Sequence, residues 1–168
     1  MNLNIDIYTD GASRKNPGQA GAGIFIKHLN GETIAEIARY LGITTNNEAE
    51  YKALIIALEY LLNELKIGDD VNLIDVNLID VNLIDVNLID VNLIKINFYS
   101  DSQLLVRQIN GQYSVKSPNI LPLHKKASEL INKLNKKNSI SVNFSYIPRE
   151  HNKQADRLAN IAIDSNIP

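Results

Sequence analysis

Residues 3–18 read "LNIDIYTDGASRKNPG", and the fold turns on how this stretch divides. Leu3, Ile5 and Ile7 alternate with Asn4, Asp6 and Tyr8. That period of two sets one face of a strand against a core and leaves the other polar. The Gly, Ser, Asn and Pro that crowd in after Asp10 end the run, so a strand over 3–10 leads into a turn over 11–18. "AGAGIFIKHL" (20–29) is a second strand, Asn30–Gly31 a two-residue hairpin signal, and "ETIAEIARYLG" (32–42) the returning third strand. The helix that follows, "TTNNEAEYKALIIALEYLLNEL" (44–65), repeats Leu54, Ala57, Leu58, Leu61 and Leu65 at spacings of three and four.

Beyond the helix, "KINFYS" (95–100) is a short strand. "DSQLLVRQING" (101–111) is a helix with Asp101 as its N-cap and Gly111 as its stop. "SPNILPLHKKASELINKLNKKN" (117–138) holds a helix opening near Pro122, "SISVNFSYIP" (139–148) a strand, and "NKQADRLANIAID" (152–164) a last helix. The order βββαβααβα is an α/β arrangement on a mixed sheet.

Between the first helix and "KINFYS" lie five perfect copies of DVNLI, Asp70 to Ile94. A period of five serves neither regular element. As a strand each copy changes face, and as a helix each rotates by about 140° from the last. The pattern resembles pentapeptide-repeat solenoids, but five copies make little more than one coil. A loose flap, an irregular helix or hairpin extension, and a small coil all stay open. The expected organisation is one domain, 1–68 with 95–168, interrupted by a 69–94 insertion that leaves from one end of the sheet.

Composition narrows the class. The 168-residue chain is 45% hydrophobic, enough for one domain with a proper core, and has no Cys, which excludes disulfides and thiolate metal sites. No basic-then-apolar leader opens it, and no apolar run approaches the ~20 residues that cross a bilayer, so a cytoplasmic monomer off the membrane is expected. The net charge of −2 conceals six Asp in 69–94; the remainder carries 17 basic against 13 acidic residues. A mildly basic body is compatible with a nucleic-acid partner.

Four acids stand out. Alone, each has an ordinary explanation: a turn for Asp10, an N-cap for Asp101, a surface ion pair with Lys153 or Arg157 for Asp156. Glu50 is harder to dismiss, because it heads the apolar stripe, whereas Glu48 shares a face with Lys52 as an exposed pair. If the strands ending at Asp10 and Asp101 are parallel neighbours, both acids emerge at the sheet edge where open α/β sheets place ligands. Carboxylates converging there need divalent cations, and an oxygen-only donor set favours Mg²⁺, with Mn²⁺ as a substitute.

"YTDGASRKNPG" (8–18), "TTNNEAEYKALIIAL" (44–58), "YSDSQLLVRQING" (99–111) and "HNKQADRLAN" (151–160) together resemble the ribonuclease H type 1 family, in the same order and over nearly all of the chain except the repeat. The resemblance implies a ribonuclease H-like fold: five strands ordered 3-2-1-4-5, flanked by helices. It puts the metal-binding, catalytic acids at Asp10, Glu50, Asp101 and Asp156. It implies an endoribonuclease that cleaves the RNA strand of RNA–DNA hybrids with two Mg²⁺ ions, leaving a 3′-hydroxyl and a 5′-phosphate. Asn16, Asn46, Asn47, Ser102 and Gln103 would line the hybrid's minor groove, where the 2′-hydroxyl distinguishes RNA. Family members carry a loop His before the last acid. In "IPREHNKQAD" (147–156) that role falls to His151, with Arg149 and Glu150 as alternatives. The short, Trp-free "NGQYSVKSPNILPL" (110–123) replaces the family's basic protrusion, and no N-terminal hybrid-binding domain is expected, which points to the compact branch. Cleavage of double-stranded RNA on the same fold, and a non-catalytic binding module, are the alternatives.

Overall fold

The computed structural model describes residues 2–63, 93–136 and 140–166. Strands β1 (Asn2–Ser13), β2 (Gly18–His28) and β3 (Thr33–Thr44) are followed by α1 (Asn46–Asn63), β4 (Leu93–Ser100), α2 (Gln103–Ile109), α3 (Ile120–Asn135), β5 (Ile140–Tyr146) and α4 (Lys153–Ser165). Among the described residues the expected element order and the sheet order 3-2-1-4-5 both hold. β1 runs antiparallel to β2 and parallel to β4, and β4 parallel to β5. The repeat lies outside the described residues except for Leu93 and Ile94, which open β4.

One face of the sheet presents Ile5, Ile7, Ile24 and Ile26, all buried, to α1, and the buried Ile96 and Phe98 of β4 join the same core. Each such side chain contributes roughly 1.5–3 kcal/mol on burial. α3 packs on the outside of α1. α4 covers the other face, close to the β2 backbone: a Cβ placed at Gly23 would fall 2.0 Å from the Ala155 carbonyl oxygen. That approach sets the start of α4 over the strand that pairs with Asp10.

Two local expectations are corrected. β1 does not end at Asp10: Gly11, Ala12 and Ser13 stay paired to Ala22, Gly21 and Ala20 of β2. The N-cap of α2 is Ser102, not Asp101, since the Ser102 hydroxyl accepts from the Leu105 N–H at 3.3 Å. The parallel ladder between β1 and β4 closes at Thr9 and Ser100. Asp10 follows Thr9 within β1 and Asp101 follows the last residue of β4, so the two acids stand where the ladder opens.

Candidate active site

α1 begins with a reciprocal cap. Glu48 accepts from the Thr45 N–H at 3.0 Å and its hydroxyl at 2.7 Å, while the Thr45 oxygen accepts from the Glu48 N–H at 3.3 Å. Glu48 is therefore a capping residue rather than the Lys52 partner expected, and Lys52 reaches Thr44 instead. With Glu48 committed, Glu50 is the acid that α1 turns toward β1. Its carboxylate accepts from the Gly11 N–H at 3.1 Å. Only glycine permits this approach, because a Cβ at Gly11 would meet the Ala49 carbonyl carbon at 2.1 Å.

Asp10, Glu50 and Asp101 each offer a carboxylate oxygen within 4.8 Å of the others. Asp156 is outside that trio but close enough for its charge to act on Asp10. It is paired with the Arg149 guanidinium at 2.8 Å, and not with Lys153 or Arg157. Arg157 binds Glu36 instead. Burial, together with the charges of Asp101 and Asp156, pushes Asp10 up to about 7, against the smaller pull of Arg149 and the Gly11 N–H. Burial first, then Asp10 and Asp101, drives Glu50 well above the ordinary carboxylate range. Such a cluster of acids is a site short of positive charge.

The amide residues lie beside it. Asn16 accepts from the Asn46 N–H at 3.1 Å, and Asn46 accepts from the Ser13 N–H at 2.8 Å, tying the β1–β2 turn to the head of α1. A cleft of about 270 Å³ opens here, lined by Asn16, Thr45, Asn47, Glu48, Leu104 and Gln108. Ser102 and Gln103 begin α2; the Ser102 hydroxyl is engaged by its cap, and Gln103 is exposed. His151 and Glu150 are exposed on the single 3₁₀ turn Arg149–His151, and among the described residues only Arg149 of that turn bonds to one of the four acids.

Sequence reasoning missed Asn152. It is 1% exposed, and its amide donates to the Asp101 carboxylate at 2.8 Å and the Thr9 carbonyl at 2.9 Å. The available signal was its spacing of four from Asp156, which puts both in one helical turn. Gln108 was also missed. It accepts from the buried Tyr51 hydroxyl at 2.9 Å and so anchors α2 to α1 at the cleft floor.

Sheet order, helix placement and the acid cluster are together those of a ribonuclease H-like domain. Residues 2–77 match the RNase H family model and 88–162 the reverse transcriptase-like one. The crystal structure of LC11-RNase H1 in complex with an RNA/DNA hybrid is 36% identical, with a TM-score of 0.73 over 96% of this chain and 98% of that one. Ribonuclease HI of Halobacterium salinarum is 32% identical over 161 residues, 95% of this chain and 64% of that protein. The bifunctional protein Rv2228c of Mycobacterium tuberculosis is 31% identical over 97% of this chain, which spans 36% of its length. The chain belongs to the type 1 ribonuclease H family.

Proposed function

We propose that the chain is an endoribonuclease that hydrolyses the RNA strand of RNA–DNA hybrids, leaving 3′-hydroxyl and 5′-phosphate ends. The observation that carries this is the trio Asp10, Glu50 and Asp101 within 4.8 Å, with Asp156 alongside and an amide-lined cleft next to it. The relative whose structure includes an RNA/DNA hybrid supports the choice of substrate.

The donor set fits divalent metal. It is all oxygen, it contains no Cys, and two of its members, Asp10 and Glu50, are pushed upward from the ordinary carboxylate range by burial first and then by the neighbouring carboxylates. Asp10, Glu50, Asp101 and Asp156 would hold two Mg²⁺ ions, or Mn²⁺ in their place. Bound there, such ions supply Lewis-acid activation of water and stabilisation of the departing 3′ oxygen. The chain's own part is placement. Gly11 fixes Glu50 on one side of Asp10, and Asn16, Asn46, Asn47, Ser102 and Gln103 would read the sugar edge of a bound hybrid. For the accessory role assigned by resemblance to a His, Arg149 replaces His151, since its guanidinium is the one that reaches the cluster. A guanidinium stays charged at any working pH, so Arg149 serves by attracting the product phosphate rather than by moving a proton. A cytoplasmic monomer is part of the same proposal. Among the described residues no helix is long and apolar enough to cross a membrane.

Labelled RNA–DNA hybrid, RNA duplex and DNA duplex, each incubated with Mg²⁺ and with chelator, test the reading. Chelator-sensitive cleavage confined to the hybrid's RNA strand is expected. Preferential RNA-duplex cleavage would move the assignment to a double-strand ribonuclease, and no cleavage anywhere would leave a binding module.

We also place the repeat outside the working part. α1 runs away from Glu50 to Asn63, and Leu93 stands at the end of β4 opposite Asp101. At ~3.3 Å per strand residue that is roughly 26 Å from the acid. Lengthening a surface connection costs only about 0.6 kcal/mol per doubling. Exchanging residues 71–92 for a short Gly/Ser linker, with Leu93 and Ile94 kept, is therefore expected to leave kcat/KM on the hybrid within about threefold. Loss of cleavage in a folded exchange variant would assign the repeat a working role.

A further inference from the structure

We infer that Asn152 is the positioning residue of the acid cluster, holding Asp101 for metal through its side-chain amide; this rests on the metal-dependent reading above. Asn152 is neither a carboxylate nor part of the amide-lined cleft, yet it is among the most buried polar side chains described, at 1% exposure. Both of its amide hydrogens are used. One goes to the Asp101 carboxylate at 2.8 Å and the other to the Thr9 carbonyl at 2.9 Å. Each partner can only accept, so the amide's orientation is fixed by chemistry and cannot be reversed. The consequence is an orphan: Asn152 Oδ1 is buried and finds no donor among the described residues. A buried acceptor without a partner is unfavourable. It is tolerated here because two acceptors, one of them charged, converge on the same spot and need two N–H groups.

The backbone of Asn152 extends the arrangement. Its carbonyl accepts from the Asp156 N–H at 3.1 Å, and its own N–H closes the 3₁₀ turn onto the Arg149 carbonyl at 2.9 Å. One residue thus touches Asp101 directly, β1 at the position before Asp10, the first turn of α4 that carries Asp156, and the turn that carries Arg149. Gly11, on the other side of Asp10, holds Glu50. Thr9, Asp10 and Gly11 therefore act as a ruler: the Thr9 carbonyl sets one group of acids through Asn152, and the Gly11 N–H sets the remaining one. No hydrocarbon could replace the amide without baring Thr9 and Asp101 together. An Asp at this position would turn a carboxylate onto two acceptors.

Residues that orient metal ligands typically change metal affinity by about 10–100-fold when removed. In calorimetric titration of the full chain with Mn²⁺ at 20 °C, Asn152→Ala is expected to weaken binding about tenfold or more. Asn152→Ser, which keeps one donor, should fall between it and the parent. Hybrid affinity measured in chelator should stay within twofold for both. Turnover should fall at low Mg²⁺ and recover in part at high Mg²⁺. A residue that served the fold alone would lower the melting temperature and leave the Mn²⁺ affinity where it was. Binding within twofold of the parent by folded Asn152→Ala would overturn the proposal while leaving the nuclease reading intact. If the alanine variant is unfolded at 20 °C, Asn152→Ser is held to the same limit. A parent that takes up no Mn²⁺ would instead overturn the metal-dependent reading itself, and this proposal with it.

Discussion

Asp101→Asn is expected to lower the proposed hybrid cleavage by roughly 10²–10³-fold, on the scale of removing one preorganised electrostatic element from an active site, and to leave hybrid affinity within a few-fold. The separation of the two effects follows from geometry. The oxygen of an Asn at this position can still accept from the Asn152 amide, so the tie seen at 2.8 Å survives and the fold with it. The other half of the new amide presents N–H groups to Asp10 and Glu50, where a cation requires oxygen. Affinity is not expected to fall with the loss of this acid, because a negative charge facing phosphates opposes binding and its removal can only ease it. Gel-resolved single-turnover cleavage, with hybrid binding measured in chelator, reads both quantities. Undiminished cleavage would remove Asp101 from the chemistry. Loss of binding in step with cleavage would make the site a docking surface.

Much of this site was legible before any coordinates, and the parts that were not share a cause. Alternation in residues 3–10 and the stripe through Leu54, Ala57, Leu58 and Leu61 report burial directly, because a side chain's face follows from its position along the element. The sheet order and the neighbouring exits of Asp10 and Asp101 followed from that reading together with the family resemblance. What failed was each choice between two chemically competent neighbours. Asp101 and Ser102 are both good N-caps and adjacent, and only the direction in which β4 ends gives the cap to Ser102 and frees Asp101. Glu48 could have paired with Lys52, yet Thr45 three residues before it offered a cap, and the cap prevailed. Gly11–Ser13 look like turn residues because they carry no apolar alternation, but they remain in β1 because β2 supplies a partner for each. The accessory role is a separate matter: the resemblance offers His151 for it, with Arg149 and Glu150 as alternatives, and residue type alone does not choose among them. Arg149 has the reach, since the 3₁₀ turn brings its guanidinium back to Asp156. Asn152 gave the least signal of all: its function consists of two hydrogen bonds to residues 143 and 51 positions away.

The same crowding of acids that suits metal should weaken the metal-free protein. Asp10 is pushed up to about 7 in the fold, by burial first and then by Asp101 and Asp156, against about 3.9 in an unfolded chain. Between those two values the folded state holds a proton that the unfolded state has released, so stability falls as pH rises through this window. Below it both states are protonated and the penalty vanishes; above it both are ionised and the penalty is complete. At about 1.4 kcal/mol per pH unit the full effect is on the order of 2–4 kcal/mol, and Glu50 adds to it in the same direction. Asp10→Asn removes the charge and keeps the shape. In chelator at pH 7.5 this variant should melt roughly 4–16 °C above the parent, given about 2–4 °C per kcal/mol for a chain of this size. The gap should close toward pH 4. Millimolar Mg²⁺ should shrink it at pH 7.5, because the parent gains a bound cation that the variant takes up poorly. Thermal melts of both chains across this pH range, with and without Mg²⁺, decide the matter. A gap that ignores pH would show that the Asp10 carboxylate carries no buried charge to relieve, and with it would go the electrostatic case for metal at this sheet edge.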